Sequence, residues 1–342
     1  MKSLMRPAPR RLAATVALTS AAVLGMGACG SAAGIGGDSK TVDIVAFSTP
    51  KPVYDALESA FQRTAKGQGV QFSSSFDASG SQSKAVAAGH PADYVNFSTG
   101  PDMSRLVPDF VDAGWAGTST KGIVADSVVV IVVRKGNPKH ITGWADLVKP
   151  GIQIVTPDPA SSGSAKWNAL AAYSHVLADG GTQADAKAYL AKFFRNVVSK
   201  PDSGSNAAKT FESGTGDALI SYESEAITAK QKGESLDYVV PRESFLIETP
   251  VAVTTKASST ARSFLDFAMS AAGQKIFASK GWRPAVKGTD PGTVAGANDP
   301  TDPYPAVAKL TTVADLGGWD KVNKQFFDDA GGIVTKIENA SG

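Results

Sequence analysis

The chain has 342 residues, with 34 lysines and arginines against 32 aspartates and glutamates, and a 42% hydrophobic share. That content is ample for two domains with real cores, and the near-balance of charge does not point to nucleic acid or an anionic membrane as a partner. Cysteine occurs once, which excludes a disulfide framework within the chain.

The N-terminus reads as an export signal. Lys2, Arg6, Arg10 and Arg11 precede an apolar run over 12–26, too short for a comfortable membrane span, and Gly27-Ala28-Cys29 closes it. Removing residues 1–28 takes away four basic side chains and no acidic one, so the mature chain becomes slightly acidic. Residues 29–40 are rich in Gly, Ser and Ala and read as a flexible tether. A lone cysteine in this setting resembles the lipobox of bacterial lipoproteins, with Met26 where leucine is usual. The resemblance implies cleavage before Cys29, a diacylglyceryl anchor on it, and display on the outer face of the cytoplasmic membrane.

Beyond the tether, 41–47 is strongly β-prone and ends in Ser48-Thr-Pro50. Val53, Leu57 and Phe61 lie at helical spacing within 53–66. A strand over 70–76, a turn over 77–81, a helix over 82–88 and a strand over 94–97 follow. This alternation implies βαβ units and a parallel sheet. Residues 127–133 are the most β-rich of all and predict a buried central strand. The alternation then restarts. Strands are expected over 151–156, 218–222, 238–240 and 249–254, and helices over 164–178, 186–197, 223–232 and 261–279. No internal repeat is present. Two α/β sheets that part near residue 127, with the chain returning near 247, suit two lobes with a cleft between them.

The informative feature is a recurring small-residue turn where a strand ends and a helix begins. Ala78-Ser-Gly-Ser81, Ser161-Ser-Gly-Ser-Ala165 and Asp202-Ser-Gly-Ser-Asn206 are the strong copies, and Phe47-Ser-Thr-Pro50 is a weaker one. The first turn of a helix leaves N–H groups without intrahelical acceptors, and the macrodipole adds positive character there. Glycine lets the backbone approach an anion and serine adds a hydroxyl donor. Each turn alone is equally an ordinary N-cap. Spacing does not show that the turns meet.

Longer motifs carry a family resemblance. Arg134-Lys-Gly-Asn-Pro-Lys139, Trp144-x-Asp-Leu-x-Lys-Pro-Gly151 and Thr156-Pro-x-Pro-x-Ser-Ser-Gly-x-Ala-x-Trp-Asn168 resemble the sulfate-binding receptors of bacterial ABC importers. So do Gly216-Asp-Ala-Leu-Ile-Ser-Tyr-Glu-Ser-Glu-Ala226, Glu243-Ser-x-Leu-x-Glu-x-Pro-Val251, Gly273-Gln274 with Arg283-Pro284, and Gly317-Gly-Trp319. The resemblance implies an α/β, two-lobed type II periplasmic-binding-protein fold, each lobe a mixed, mostly parallel sheet flanked by helices, with two hinge crossings. Lobe I takes 41–126 and 247–342, and lobe II takes 127–246. It also implies a monomer that binds sulfate, or thiosulfate, between the lobes and delivers it to an ABC permease and its ATPase subunits, with no cofactor. Carried over by motif, Ser79, Gly163, Ser164 and Ser205 offer backbone N–H groups, Ser162 offers its hydroxyl, and Ser48 and Tyr222 complete the site. Tyr222 stands where better-known relatives carry tryptophan, Ser48 where many carry aspartate, and Ser164 where they carry a second glycine.

A donor-only site suits sulfate, which bears no proton at neutral pH, and leaves the O–H of a protonated phosphate unpaired. Asp77 or Asp202 would alter that argument by facing the anion, and the Tyr222 hydroxyl is the other possible acceptor. Two readings compete. Ser48-Thr-Pro-Lys51 and Ser81-Gln-Ser-Lys84 fit the S-x-x-K pattern of serine acyltransferases, but no partner motif or G-x-S-x-G elbow accompanies them. A molybdate receptor shares the two-lobe plan without the Ser-Ser-Gly-x-Ala-x-Trp-Asn element. His90, His140 and His175 stand in no metal-binding spacing and read as surface or cap residues.

Overall fold

A computed structural model describes residues 40–341 of the chain, so the signal and Cys29 lie outside the described residues. The first elements are β1 (Thr41–Phe47), α1 (Lys51–Phe61), β2 (Gln71–Asp77), α2 (Ser79–Ala87), β3 (Tyr94–Asn96) and α3 (Gly100–Ser104). β1 pairs in parallel with both β2 and β3. It is apolar and mostly buried, as an inner strand must be, whereas β2 carries Ser73, Ser74 and Ser75 along the sheet edge.

The Val/Ile run becomes part of β4 (Ile123–Arg134). Val128, Val130 and Val132 enter one core cluster, while Val129, Ile131 and Val133 enter another. The two-residue period of a strand thus feeds apolar layers on both faces.

The second sheet is built from α4 (Trp144–Leu147), β5 (Ile154–Val155), α5 (Gly163–Ala178), α6 (Gln183–Arg195), β6 (Val197–Ser199), α7 (Gly204–Glu212), β7 (Ala218–Tyr222), α8 (Glu223–Gln231) and β8 (Leu236–Val239). Here β5 lies parallel to β6 and β7, and β4 lies antiparallel to β7 and β8. β9 (Glu243–Val253) returns alongside β4, with Ser127 opposite Ile247, and its far end, Val251–Val253, pairs with β3. Two adjacent antiparallel strands therefore join a β2-β1-β3 sheet to a β7-β5-β6 sheet. The remainder, α9 (Ser259–Met269), α10 (Ala271–Ser279), β10 (Arg283–Pro284), β11 (Lys309–Thr311), α11 (Trp319–Val322), a π turn over Asn323–Phe327 and α12 (Ile333–Ser341), packs around these strands.

Four expectations change. The helix expected over 261–279 is two helices, because Ser270 is extended and its hydroxyl accepts from Gly273 N–H at 3.2 Å, capping a new start. The strand expected over 151–156 contracts to β5, and that over 249–254 lengthens into β9. His175 is no surface residue: it stacks on Trp144 at 5.4 Å and meets Tyr189 edge-on. Desolvation there lowers its pKa to about 4.

The β4–β9 ladder sets two carboxylates face to face. Asp126 opposes Glu248, and Asp126 Oδ1 is buried with no hydrogen-bond partner among the described residues. Burial, and then the Glu248 charge, push the Asp126 carboxyl up to about 7. A carboxyl raised in this way binds more protons folded than unfolded between about pH 4 and 7, so stability falls as pH climbs through that window. Asp126→Asn should therefore raise the melting temperature above about pH 7, by the equivalent of about 2–4 kcal/mol, with little change near about pH 4.5. Thermal melts across that range check this; equal shifts at both ends would count against it.

Candidate functional site

Four helices begin at one small cavity. α2 starts at Ser79, α5 at Gly163 behind Ser162, and α7 at Gly204 behind Ser203, while Ser48 and Thr49 lead into α1. Ser48, Thr49, Ser79, Ser98, Ser162, Gly163, Ser164, Ser203 and Gly204, with Phe47 and Ala78, line a small cavity of about 10 Å³. Pockets for drug-sized ligands run to about 300–1,000 Å³, so this space suits a small solute. No wall residue is charged. The positive character of the cavity comes from first-turn N–H groups and aligned helix dipoles.

The hydroxyls divide into those already engaged and those free for an occupant. Ser79 Oγ donates to Asp102 Oδ2 at 2.7 Å and accepts from Ser98 N–H at 2.9 Å, leaving its backbone N–H as its contribution. Ser203 behaves as an ordinary cap, its Oγ accepting from Asn206 N–H at 3.3 Å. Ser162 is the N-cap of α5 but makes no side-chain cap bond. Ser164 Oγ is buried within reach of the Tyr222 hydroxyl but makes no well-aligned hydrogen bond among the described residues, an arrangement that costs about 1–3 kcal/mol unless an occupant accepts from it.

Tyr222 is fully buried and reaches the cavity wall through Ser98, the two hydroxyls being 2.7 Å apart. Trp167 Nε1 donates to Ser98 O at 3.0 Å and Ser98 Oγ at 3.1 Å. An indole N–H only donates. Where Tyr222 donates in this pair, the Ser98 hydrogen is left for an occupant; where Ser98 donates, the Tyr222 hydrogen has Ser164 Oγ within reach.

Of the residues singled out in the sequence, Ser48, Ser79, Ser162, Gly163 and Ser164 line the cavity. Ser205 lines the adjoining outer cleft instead, where Ser48 and Thr49 also appear. Asp202 Oδ1 accepts from Asn206 Nδ2 at 2.7 Å and Asp77 Oδ1 from Ala78 N–H at 2.7 Å; neither joins the cavity wall. Sequence reasoning placed Thr49, Ser203 and Gly204 within candidate turns without naming them as site residues, and it missed Ser98. One signal was there: Phe97-Ser-Thr-Gly-Pro101 repeats the Phe-Ser-Thr opening of Phe47-Ser-Thr-Pro50 at another strand end.

The two sheets touch around this cavity. Ser98 belongs to the first and Tyr222 and Trp167 to the second; Gly80 N–H also donates to Ser161 O at 3.3 Å. The outer cleft carries Lys51, Asp77, Lys209, Glu212, Glu225 and Lys232. Glu225 bridges the halves there, its Oε1 accepting from Thr49 Oγ1 at 3.1 Å and its Oε2 from Ser221. Burial pushes its carboxyl above the ordinary range.

The sequence pattern of the bacterial extracellular solute-binding proteins matches residues 42–283. The sulfate-binding protein of Synechococcus elongatus is 36% identical, with 95% of each chain covered. The chain belongs to the sulfate-binding family of these solute-binding proteins. Family members are receptors, and this chain is a binding protein and not an enzyme. Its fold is the periplasmic-binding-protein fold: the solved sulfate-binding protein SubI of Mycobacterium tuberculosis superposes with a TM-score of 0.79 at 42% identity, covering 84% of this chain and 99% of that one. A thiosulfate-binding protein of Pseudomonas aeruginosa is 31% identical over 86% of this chain and 90% of its own.

Proposed function

We propose that this receptor captures sulfate in the cavity at the four helix starts and presents it to an ABC permease. The observation that carries the reading is the Ser164 hydroxyl, buried without a well-aligned hydrogen bond in a wall rich in N–H and O–H groups and free of charge. Sulfate's four oxygens accept from many donors at once. Ser79, Gly163, Ser164 and Gly204 supply first-turn N–H groups, Ser162 and Ser164 supply hydroxyls, and the Ser98–Tyr222 pair supplies one more. Ser205 N–H lies in the first turn of α7 beside Gly204 and extends this set. The relatives named for sulfate and thiosulfate support this choice of solute.

In this reading lobe I is 41–126 with 247–342, lobe II is 127–246, and the ion is held between them by a monomer. The Ser127–Ile247 register supports these bounds. The lipobox-like residues around Cys29 support a lipid anchor on the outer face of the membrane, with the permease and its ATPase as partners.

Titration calorimetry with sulfate, thiosulfate, phosphate and molybdate tests the proposal. Sulfate should bind tightly, and phosphate, whose O–H finds only hydroxyl oxygens and no carboxylate in the wall, should bind about 1–3 kcal/mol more weakly. Ser162→Ala should weaken sulfate binding by about 1–3 kcal/mol, since a donor to a charged guest is lost. Tight phosphate binding, or an unaltered sulfate affinity in the variant, would overturn the donor-only site.

A further inference from the structure

Trp167 directs its one hydrogen-bonding group at the wall of the anion cavity. It lies four residues after Gly163 on α5, so the two share a helix face. The ring is fully buried, set edge-on to Trp319 at 4.9 Å and tilted against Phe245 at 5.8 Å. Its N–H reaches from the second sheet's side to the first and divides between Ser98 O at 3.0 Å and Ser98 Oγ at 3.1 Å. The Ser98 hydroxyl therefore has three neighbours: the Trp167 N–H, the Tyr222 hydroxyl at 2.7 Å and the cavity. Trp167 can only donate, so it takes one lone pair of Ser98 Oγ. One hydrogen and one lone pair remain, to be divided between Tyr222 and the cavity. Tyr222 can turn either way, and burial holds its phenol well above the ordinary range, so the hydrogen stays on.

Building on the sulfate reading, we propose that Ser98 is a direct sulfate ligand and that Trp167 is the positioning residue that orients it. A guest without protons takes only donors, so it turns the Ser98 hydrogen into the cavity and leaves Tyr222 to donate to Ser98 Oγ. That oxygen then accepts from both Trp167 and Tyr222 while its own hydrogen goes to the anion. Hydrogen bonds in such a row polarise one another, and the two received bonds make Ser98 a stronger donor. The placement fits: a Cβ on Gly163 would stand 2.5 Å from Ser98 Oγ, which puts this hydroxyl beside the first-turn N–H groups of α5. Both bonds that Ser98 Oγ receives come from the second sheet's side, whereas Ser98 itself lies two residues past β3 of the first. The donor is aligned only with the halves together, so it favours sulfate in the closed state over the open one.

Sulfate titrations of the intact chain and three variants form a double-mutant cycle. Ser98→Ala should weaken binding by about 10–100-fold, the loss of a hydrogen bond to a charged group. Trp167→Phe keeps an aromatic ring without the N–H and should weaken binding by about three- to tenfold. The double variant should bind no worse than Ser98→Ala alone, since Trp167 acts through the serine; a residue needed merely for packing would add a loss of its own. A second reading stands even if Trp167→Phe fails to fold. In nitrogen–proton correlation spectra of the wild type, the Trp167 indole signal should move downfield when saturating sulfate is added, and Ser98→Ala should reduce that movement. Ser98→Ala binding within about twofold of wild type overturns the proposal, as do losses that simply add in the double variant or an indole signal that sulfate leaves unmoved. A wild type that binds no sulfate overturns the sulfate reading itself, and this inference with it.

Discussion

Gly163→Ala is expected to weaken sulfate binding by at least about 100-fold, or about 2.7 kcal/mol, while the apo protein melts where the wild type does. Alanine at the first residue of α5 is locally harmless, and as a helix former it is better than glycine. The difficulty lies across the cavity. A Cβ on Gly163 would meet Ser98 Oγ at 2.5 Å, Ser98 Cβ at 2.6 Å and Thr99 Cγ2 at 3.0 Å, all on the other half of the molecule. Ser98 has no freedom to withdraw, since its backbone N–H is tied to Ser79, its carbonyl to Trp167 and its hydroxyl to Tyr222. The clash exists only with the halves together, so the substitution acts on closure rather than on folding. Calorimetry gives the affinity, and the sulfate-induced rise in melting temperature gives an independent reading. An alanine variant that binds within a factor of about three of wild type would show that the halves do not close this tightly on the ion.

Arg283→Ala carries the largest expected loss of stability. Glu223 is fully buried at the start of α8, and Arg283 meets it in a two-pronged pair, Nε to Oε2 at 2.7 Å and Nη2 to Oε1 at 3.0 Å. The guanidinium also donates to Pro305 O at 3.1 Å and lies against the Tyr304 ring. Truncating the arginine strands a carboxylate in the interior, and breaking a buried pair on one side costs about 3–5 kcal/mol. Chemical denaturation at neutral pH should show that loss. Glu223→Gln with Arg283→Met should recover part of it, because a neutral pair leaves no ion behind. A single-variant loss under about 1 kcal/mol would mean that water reaches Glu223.

Much of the fold was readable because its strands are apolar on both faces and its helices follow them at short intervals. β1 and β7 appear at their expected residues, and the Val/Ile run lies within β4. β9 was underestimated because Glu243, Glu248 and Pro250 interrupt its apolar pattern; those residues are accommodated by tertiary contacts, which local propensity does not see. The site was readable in part for a similar reason. Serine and glycine at helix starts advertise donors, but whether a given hydroxyl caps its own helix or faces a ligand depends on a rotamer. Ser203 does the first, and Ser162 makes no such bond. Ser98 and Glu225 escaped notice because each matters only when the two sheets approach, and no single segment encodes that encounter.

The adjacency of β4 and β9 has a mechanical consequence. Two strands bonded side by side flex readily across their ribbon, whereas sliding one along the other breaks the rungs between them. On the two-lobe reading proposed above, the jaws are therefore left with essentially one direction of travel. On that reading a partner touching both rims would sense a filled or vacant clasp from a single gap width, without ever reaching the guest.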